Sequence, residues 1–188
     1  MKKFFVVIAV ILLNMCFALA DEQPVLKFNG AKYQLMYSVK NKEHNGYLNE
    51  YFKLGEDYNN WTELVAVHHF PNAYSPLDQA EAFREYLGSI NCPSALVEDE
   101  KSNSAIIDFI LIDGEKLPII LEFNVFKYAK SPECGTIALQ YAKRYVVSNG
   151  LEVDGIKKEF AKTRNSALKK VEKYEIPAIV KEDIDKLK

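Results

Sequence analysis

Leu117, Ile119, Leu121, Phe123 and Val125 fall on alternate positions of the run LPIILEFNV, and Glu122 and Asn124 fall between them. Side chains two apart share a face of a pleated strand, so the run specifies a half-buried antiparallel strand. Pro118 stands near its start, where a missing ladder donor is tolerable. Runs of the same kind recur along the chain. PVLKF and AKYQLMYSV are separated by Asn29-Gly30, a pair that accepts positive φ at both places and so fits a two-residue hairpin. Asn45-Gly46 opens YLNEYFKL, Gly55 closes it, and WTELVAVHHF follows. Further on, ALVEDE leads through KSNS into AIIDFILI. Asp113-Gly114 then turns into the first run described, and TIALQYAKRYVV comes after AKSPECG.

Two segments break the period of two. In SPLDQAEAFREYLGS, Ser75 is placed as an N-cap, Pro76 takes the first helical position and Asp78 lies in the first turn. Leu77, Ala80, Phe83 and Leu87 recur at helical spacing, and Gly88 is the expected stop. Near the end, Val153, Ile156, Phe160, Ala167, Val171 and Tyr174 follow steps of three and four with lysines between them, which predicts a long amphipathic helix ended by Pro177. Two strand series, each followed by a helix and without regular βα alternation, give an α+β class. The expected architecture is one antiparallel sheet of about 7–8 strands with a mid-chain helix and a long C-terminal helix packed on it. A closed barrel with an added helix is the rival.

The N-terminus speaks to compartment. Lys2 and Lys3 precede the apolar stretch FFVVIAVILLNMCF, and Ala18-Leu19-Ala20 supplies small residues before Asp21. This is the pattern of a secretory signal peptide cut near Ala20, too short to favour a membrane anchor. Lipidation of Cys16 is an alternative fate. The protein is therefore expected in the periplasm or outside the cell, with a leader over 1–20, one domain over 21–175 and a charged tail over 176–188. Apolar residues make up 48% of the chain and charged ones 27%, which argues for a packed domain and against disorder.

Loss of Lys2 and Lys3 takes the formal charge from −2 to −4, which disfavours nucleic acid as a partner. The charge is uneven. Residues 21–155 carry 12 basic and 20 acidic side chains, against 10 and 6 over 156–188. Either the last helix folds back over an acidic body, or it offers a basic strip to an anionic partner or to a membrane surface as a peripheral contact.

Candidate chemistry is sparse. Cys92 and Cys134 sit beside prolines in an exported chain, and a disulfide between them is the economical reading, contributing about 4 kcal/mol by loop closure. No His or Asn signature of a catalytic thiol accompanies either cysteine. His68 and His69 are neighbours on a strand and so face opposite ways. Alternation from Trp61 would place Trp61, Val65, Val67 and His69 on one face, and Leu64, Ala66, His68 and Phe70 on the other. The two imidazoles then cannot share an ion, and the remaining histidine, His44, lies in a polar turn, so no metal site is expected. Glu98, Asp99 and Glu100 match no EF-hand spacing, and Asn60-Trp61-Thr62 is a sequon in form only. A Gly-rich phosphate loop, a G-x-S-x-G elbow and H-E-x-x-H are all absent, so no cofactor and no catalytic residue is assigned. Trp61, His69, Tyr47 and Tyr51 remain as candidate binding residues, because aromatics of one strand parity can present an apolar surface with a polar rim. These features favour an exported accessory protein that binds an unidentified protein or small molecule. A small enzyme with a pocket near His69, or docking through the basic helix, are the alternatives.

The stretch YFKLGEDYNNWTELVAVHHFPN resembles a pattern, Leu-x-x-Gly-Glu ahead of Trp-Thr, in small exported bacterial proteins of unknown function. Leu54, Gly55, Glu56, Trp61 and Thr62 carry the likeness, although Leu54 here adjoins Gly55 directly. The order of elements is similar to that of PsbP-like domains, a likeness of topology that implies no activity.

Overall fold

The computed structural model describes residues 24–41, 45–114, 116–149 and 152–185; the stretch 1–20 expected to be a leader, with Cys16, and His44 lie outside the described residues. The first strand series is β1 (Val25–Phe28), β2 (Ala31–Lys40), β3 (Tyr47–Lys53) and β4 (Glu63–Phe70), followed by α1 (Pro76–Ser89). The second is β5 (Ser94–Asp99), β6 (Ser104–Asp113), β7 (Ile119–Lys130) and β8 (Thr136–Val147), followed by α2 (Glu152–Lys173) and a short β9 (Ile184–Asp185). All belong to one antiparallel sheet in the order β1-β2-β3-β4-β8-β7-β6-β5, with β9 on β2. α1 carries the chain from the middle of the sheet to its far edge, and the returning meander brings β8 back against β4. The order is a path and not a ring, so this is an open α+β sheet and the barrel does not form.

Local chemistry sets the turns and caps. Asn29 and Gly30 have φ of 52° and 80°, the pair of left-handed residues that a tight hairpin of this hand needs. Ser75 Oγ accepts the Asp78 N–H at 3.1 Å, and Pro76 begins α1. The helix runs one residue beyond Gly88, and the left-handed residue that follows it is Asn91, at φ 56°.

Each helix covers one face. α2 presses Ala167 and Val171 onto Tyr33, Leu35, Tyr51, Val65, Val67 and Tyr141. α1 presses Ala80 and Leu87 onto Ala105, Ile107, Phe109 and Phe126. His68 and His69 do point to opposite faces, but Trp61 departs from the expected parity. β4 starts only at Glu63, so alternation does not reach back to residue 61. The indole instead folds over Phe52, Leu64 and Ala142, on the face away from His69. The preceding loop is closed by Glu56, which accepts the Thr62 N–H at 2.8 Å and the Thr62 hydroxyl at 2.5 Å.

Two expectations change. The Cys92–Cys134 disulfide is not formed, and both thiols are free. Cys92 is buried behind the end of α1 with its Sγ 3.2 Å from the Ile110 carbonyl, whereas Cys134 is exposed in the β7–β8 turn. Ile110 pairs with Phe123, seven residues before the end of β7. At the rise of a strand this puts the cysteines roughly 20 Å apart, far outside bridging range. The charged tail, in turn, is a strap. Asn49, fully buried, donates to the Val180 carbonyl at 2.9 Å and accepts the Val180 N–H at 2.6 Å. Ser38 Oγ also donates to that carbonyl, at 3.1 Å, and β9 then pairs with Tyr37 and Ser38. Among the described residues, no helix is long and apolar enough to cross a membrane.

Candidate functional site

The four aromatic and imidazole candidates divide between core and turn. Tyr51 is 1% exposed within the α2-side core, where burial pushes its hydroxyl pKa up to about 12. Trp61 is buried on the opposite face, its ring covered by the Arg144 guanidinium at 3.8 Å. Tyr47 and His69 are brought together as cross-strand partners. Yet His69 is buried, and its Nε2 meets the main-chain carbonyl of Cys134 at 3.1 Å, not the thiol. The β7–β8 turn lies so close to β4 here that a Cβ on Gly135, at φ 67°, would sit 2.1 Å from the Phe70 oxygen. His69 thus fastens a turn to a strand end.

His68 is equally structural. Its Nε2 is 2.8 Å from Gln140 Oε1, and Gln140 donates in turn to Asn124 Oδ1 at 2.8 Å. Its ring packs 5.2 Å from Phe126, and burial pushes its pKa down, so the imidazole is held neutral. Among the described residues, no group of three His, Cys, Asp or Glu is placed to hold a metal ion.

A different surface gathers unbalanced charge. Where the last turns of α2 approach the β1–β2 turn, a cleft of about 610 Å³ is lined by Lys27, Phe28, Asn29, Gly30, Lys169, Lys170, Lys173 and Tyr174. Its construction follows from periodicity. Ala167 and Val171 turn α2 towards the core, which leaves Lys169, Lys170 and Lys173 on the exposed side. Phe28, 2% exposed, forms the floor, with its ring 5.1 Å from that of Tyr174 and perpendicular to it. Among the described residues, no carboxylate lines the cleft. Lys170 Nζ instead donates to the neutral amide oxygen of Asn29.

The lysines are not consumed in capping the helix either. The carbonyls of Glu172 and Tyr174, at the C-terminal end of α2, are taken from the other side by Lys127 Nζ at 2.8 and 2.9 Å. A neighbouring cleft of about 390 Å³ makes the contrast plain, because Asp99, Lys127 and Glu172 all line it and its charges are mixed. His69 lines neither cleft.

A protein-family model matches residues 20–176. The chain belongs to this uncharacterised family. The match takes in every element from β1 to α2, hence both walls of the basic cleft, and ends before the strap. Comparison with curated proteins and with solved structures finds no match. Of the cleft residues, the lysines of α2 belong to the basic strip visible in the sequence. Lys27 and Asn29-Gly30 carry no sign beyond a hairpin, because the wall they form lies about 140 residues away along the chain.

Proposed function

We propose that the protein is an exported accessory protein, periplasmic or secreted, that binds its partner in the groove between α2 and the β1–β2 turn. The observation that carries this reading is the cleft itself: four lysines over an aromatic floor, with no carboxylate among its described lining residues. Binding is favoured over catalysis because His68 and His69 both make structural hydrogen bonds through Nε2 and the Cys92 thiol is buried. The N-terminal leader supports export.

The test uses the mature protein labelled with ¹⁵N and the small-molecule fraction of its native cells. Amide shifts are expected at Gly30, Lys170 and Tyr174, and they should vanish in a Lys170→Ala/Lys173→Ala double variant. Shifts confined to the Tyr47–His69 corner, or shifts that persist in the double variant, overturn the proposal. The intact mass of protein recovered from its native compartment tests export separately, and a chain starting at Asp21 is the expected result.

A further inference from the structure

The groove has chemistry specific enough to name a class of ligand. We infer that it is a site for phosphate groups, taking a ligand with at least two of them, an inference that rests on the groove being the binding surface. Four lysines line one cleft without an acidic neighbour among its described lining residues. Like charges gathered on one surface repel one another, and an anion entering the cleft relieves that repulsion. A single carboxylate would balance one of the four. A phosphate monoester carries about −1.5 to −2 at neutral pH, so two phosphates match the cluster. Lysine binds phosphate as a point charge, without the paired geometry that arginine imposes.

The backbone adds donors in the same place. In a two-residue hairpin the outer residues make the ladder hydrogen bonds, and the two central N–H groups are left over. Those are the amides of Asn29 and Gly30, both of which line the cleft and both of which have positive φ. Consecutive amides of a turn can form an anion-binding concavity. The partial negative charge at the C-terminal end of α2 would oppose an anion, but Lys127 already occupies the carbonyls there. The two walls are also locked before any ligand arrives. Phe28 packs against Tyr174, and Lys170 bonds to Asn29, so the spacing between Lys27 and the α2 lysines is set by the fold.

Phosphate can come from a soluble phosphorylated compound or from an anionic lipid headgroup, and two arms separate these sources. In the first, the full mature chain is titrated with tripolyphosphate by calorimetry, with tricarballylate, which carries three carboxylates and no phosphate, as the comparison. In the second, it is sedimented with phosphatidylcholine vesicles with and without phosphatidylglycerol. Lys170→Gln/Lys173→Gln should weaken the binding at least tenfold. Lys158→Gln, an exposed lysine of α2 outside the cleft, should leave it unchanged. Affinity should also fall as salt rises. Binding in either arm that meets these conditions supports the site and identifies its source. If tricarballylate binds as tightly as tripolyphosphate, the phosphate inference fails and the groove stands as a general anion site. If the double variant binds every probe as well as the parent, or no probe binds the parent, the inference is overturned. In that case groove amides that still respond to the cell extract leave the binding reading intact, and silent ones remove it too.

Discussion

Under α2 the buried aromatic side chains are mostly tyrosines, Tyr33, Tyr51, Tyr141 and Tyr145, beside Phe28 and Phe123; under α1 they are Phe109, Phe126 and Tyr128, with Phe83 and Phe70 packed beside them. Tyrosine and phenylalanine bury similar rings, but a buried hydroxyl has to find a partner. On the α2 side that requirement draws polar groups inward. Tyr33 donates to Glu63 Oε2 at 2.7 Å, and the side chain of Asn29 is hydrogen-bonded to Tyr141 while its oxygen receives Lys170. This polar seam runs from the core to the basic groove. On the α1 side the rings meet each other, with centroids of Phe83 5.2 Å from Phe126 and 5.5 Å from Phe109, and His68 is kept neutral among them. One face is an aromatic clamp around an internal polar chain, His68–Gln140–Asn124, and the other connects the interior to a charged surface. A ligand-responsive surface belongs on the second, because changes there need not disturb the packing of the first.

That contrast can be broken most severely at Phe126. Phe126→Ala removes a ring in contact with Phe83, Phe109, Tyr128 and His68 and should cost about 3–5 kcal/mol in urea unfolding. At low urea, α1 amides should exchange faster while those beside the groove keep their protection. Equal loss on both faces would show that the two clusters do not act separately. Arg164→Ala tests a charged link from α2 to β6. It strips Asp108, 7% exposed, of a guanidinium that grips both carboxylate oxygens, the second at 2.9 Å. A loss of about 2 kcal/mol is expected, reported by the urea midpoint.

The smallest effect is a slope. Burial lowers the His68 pKa in the folded protein, whereas in the unfolded chain it titrates near 6.5. As pH falls below that value the unfolded state takes up a proton that the folded state refuses, so stability drops with falling pH down to the folded pKa. Urea midpoints measured between pH 7.5 and 5.5 should therefore decline more steeply for the parent than for His68→Gln. Parallel lines would mean that the imidazole is charged inside the clamp.

What the sequence disclosed depends on how local the cause is. The Ser75-Pro76 cap, the Asn29-Gly30 hairpin and the alternation of His68 with His69 each follow from a few adjacent residues, and all three appear in the structure. Trp61 went astray because alternation holds only inside a ladder, and nothing in WTELV marks Glu63 as the first paired residue. The cysteines share a loop-like setting, but pairing them needs the depth of β6 against β7, which composition does not contain. Asn49 looks like one more polar residue on a strand until the chain returns after some 130 residues to meet it. The groove was half visible, since the α2 lysines are periodic while their opposite wall is not.

The strap carries a consequence for how this protein is made. β1 pairs with β2 only from Ala31 to Gln34, and farther along that margin Tyr37 and Ser38 are paired by Asp185 and Ile184 of β9. A polypeptide threading out amino end first leaves those backbone groups bare until β9 has emerged. That margin of the sheet is thus sealed late, by a strand that follows every other described element.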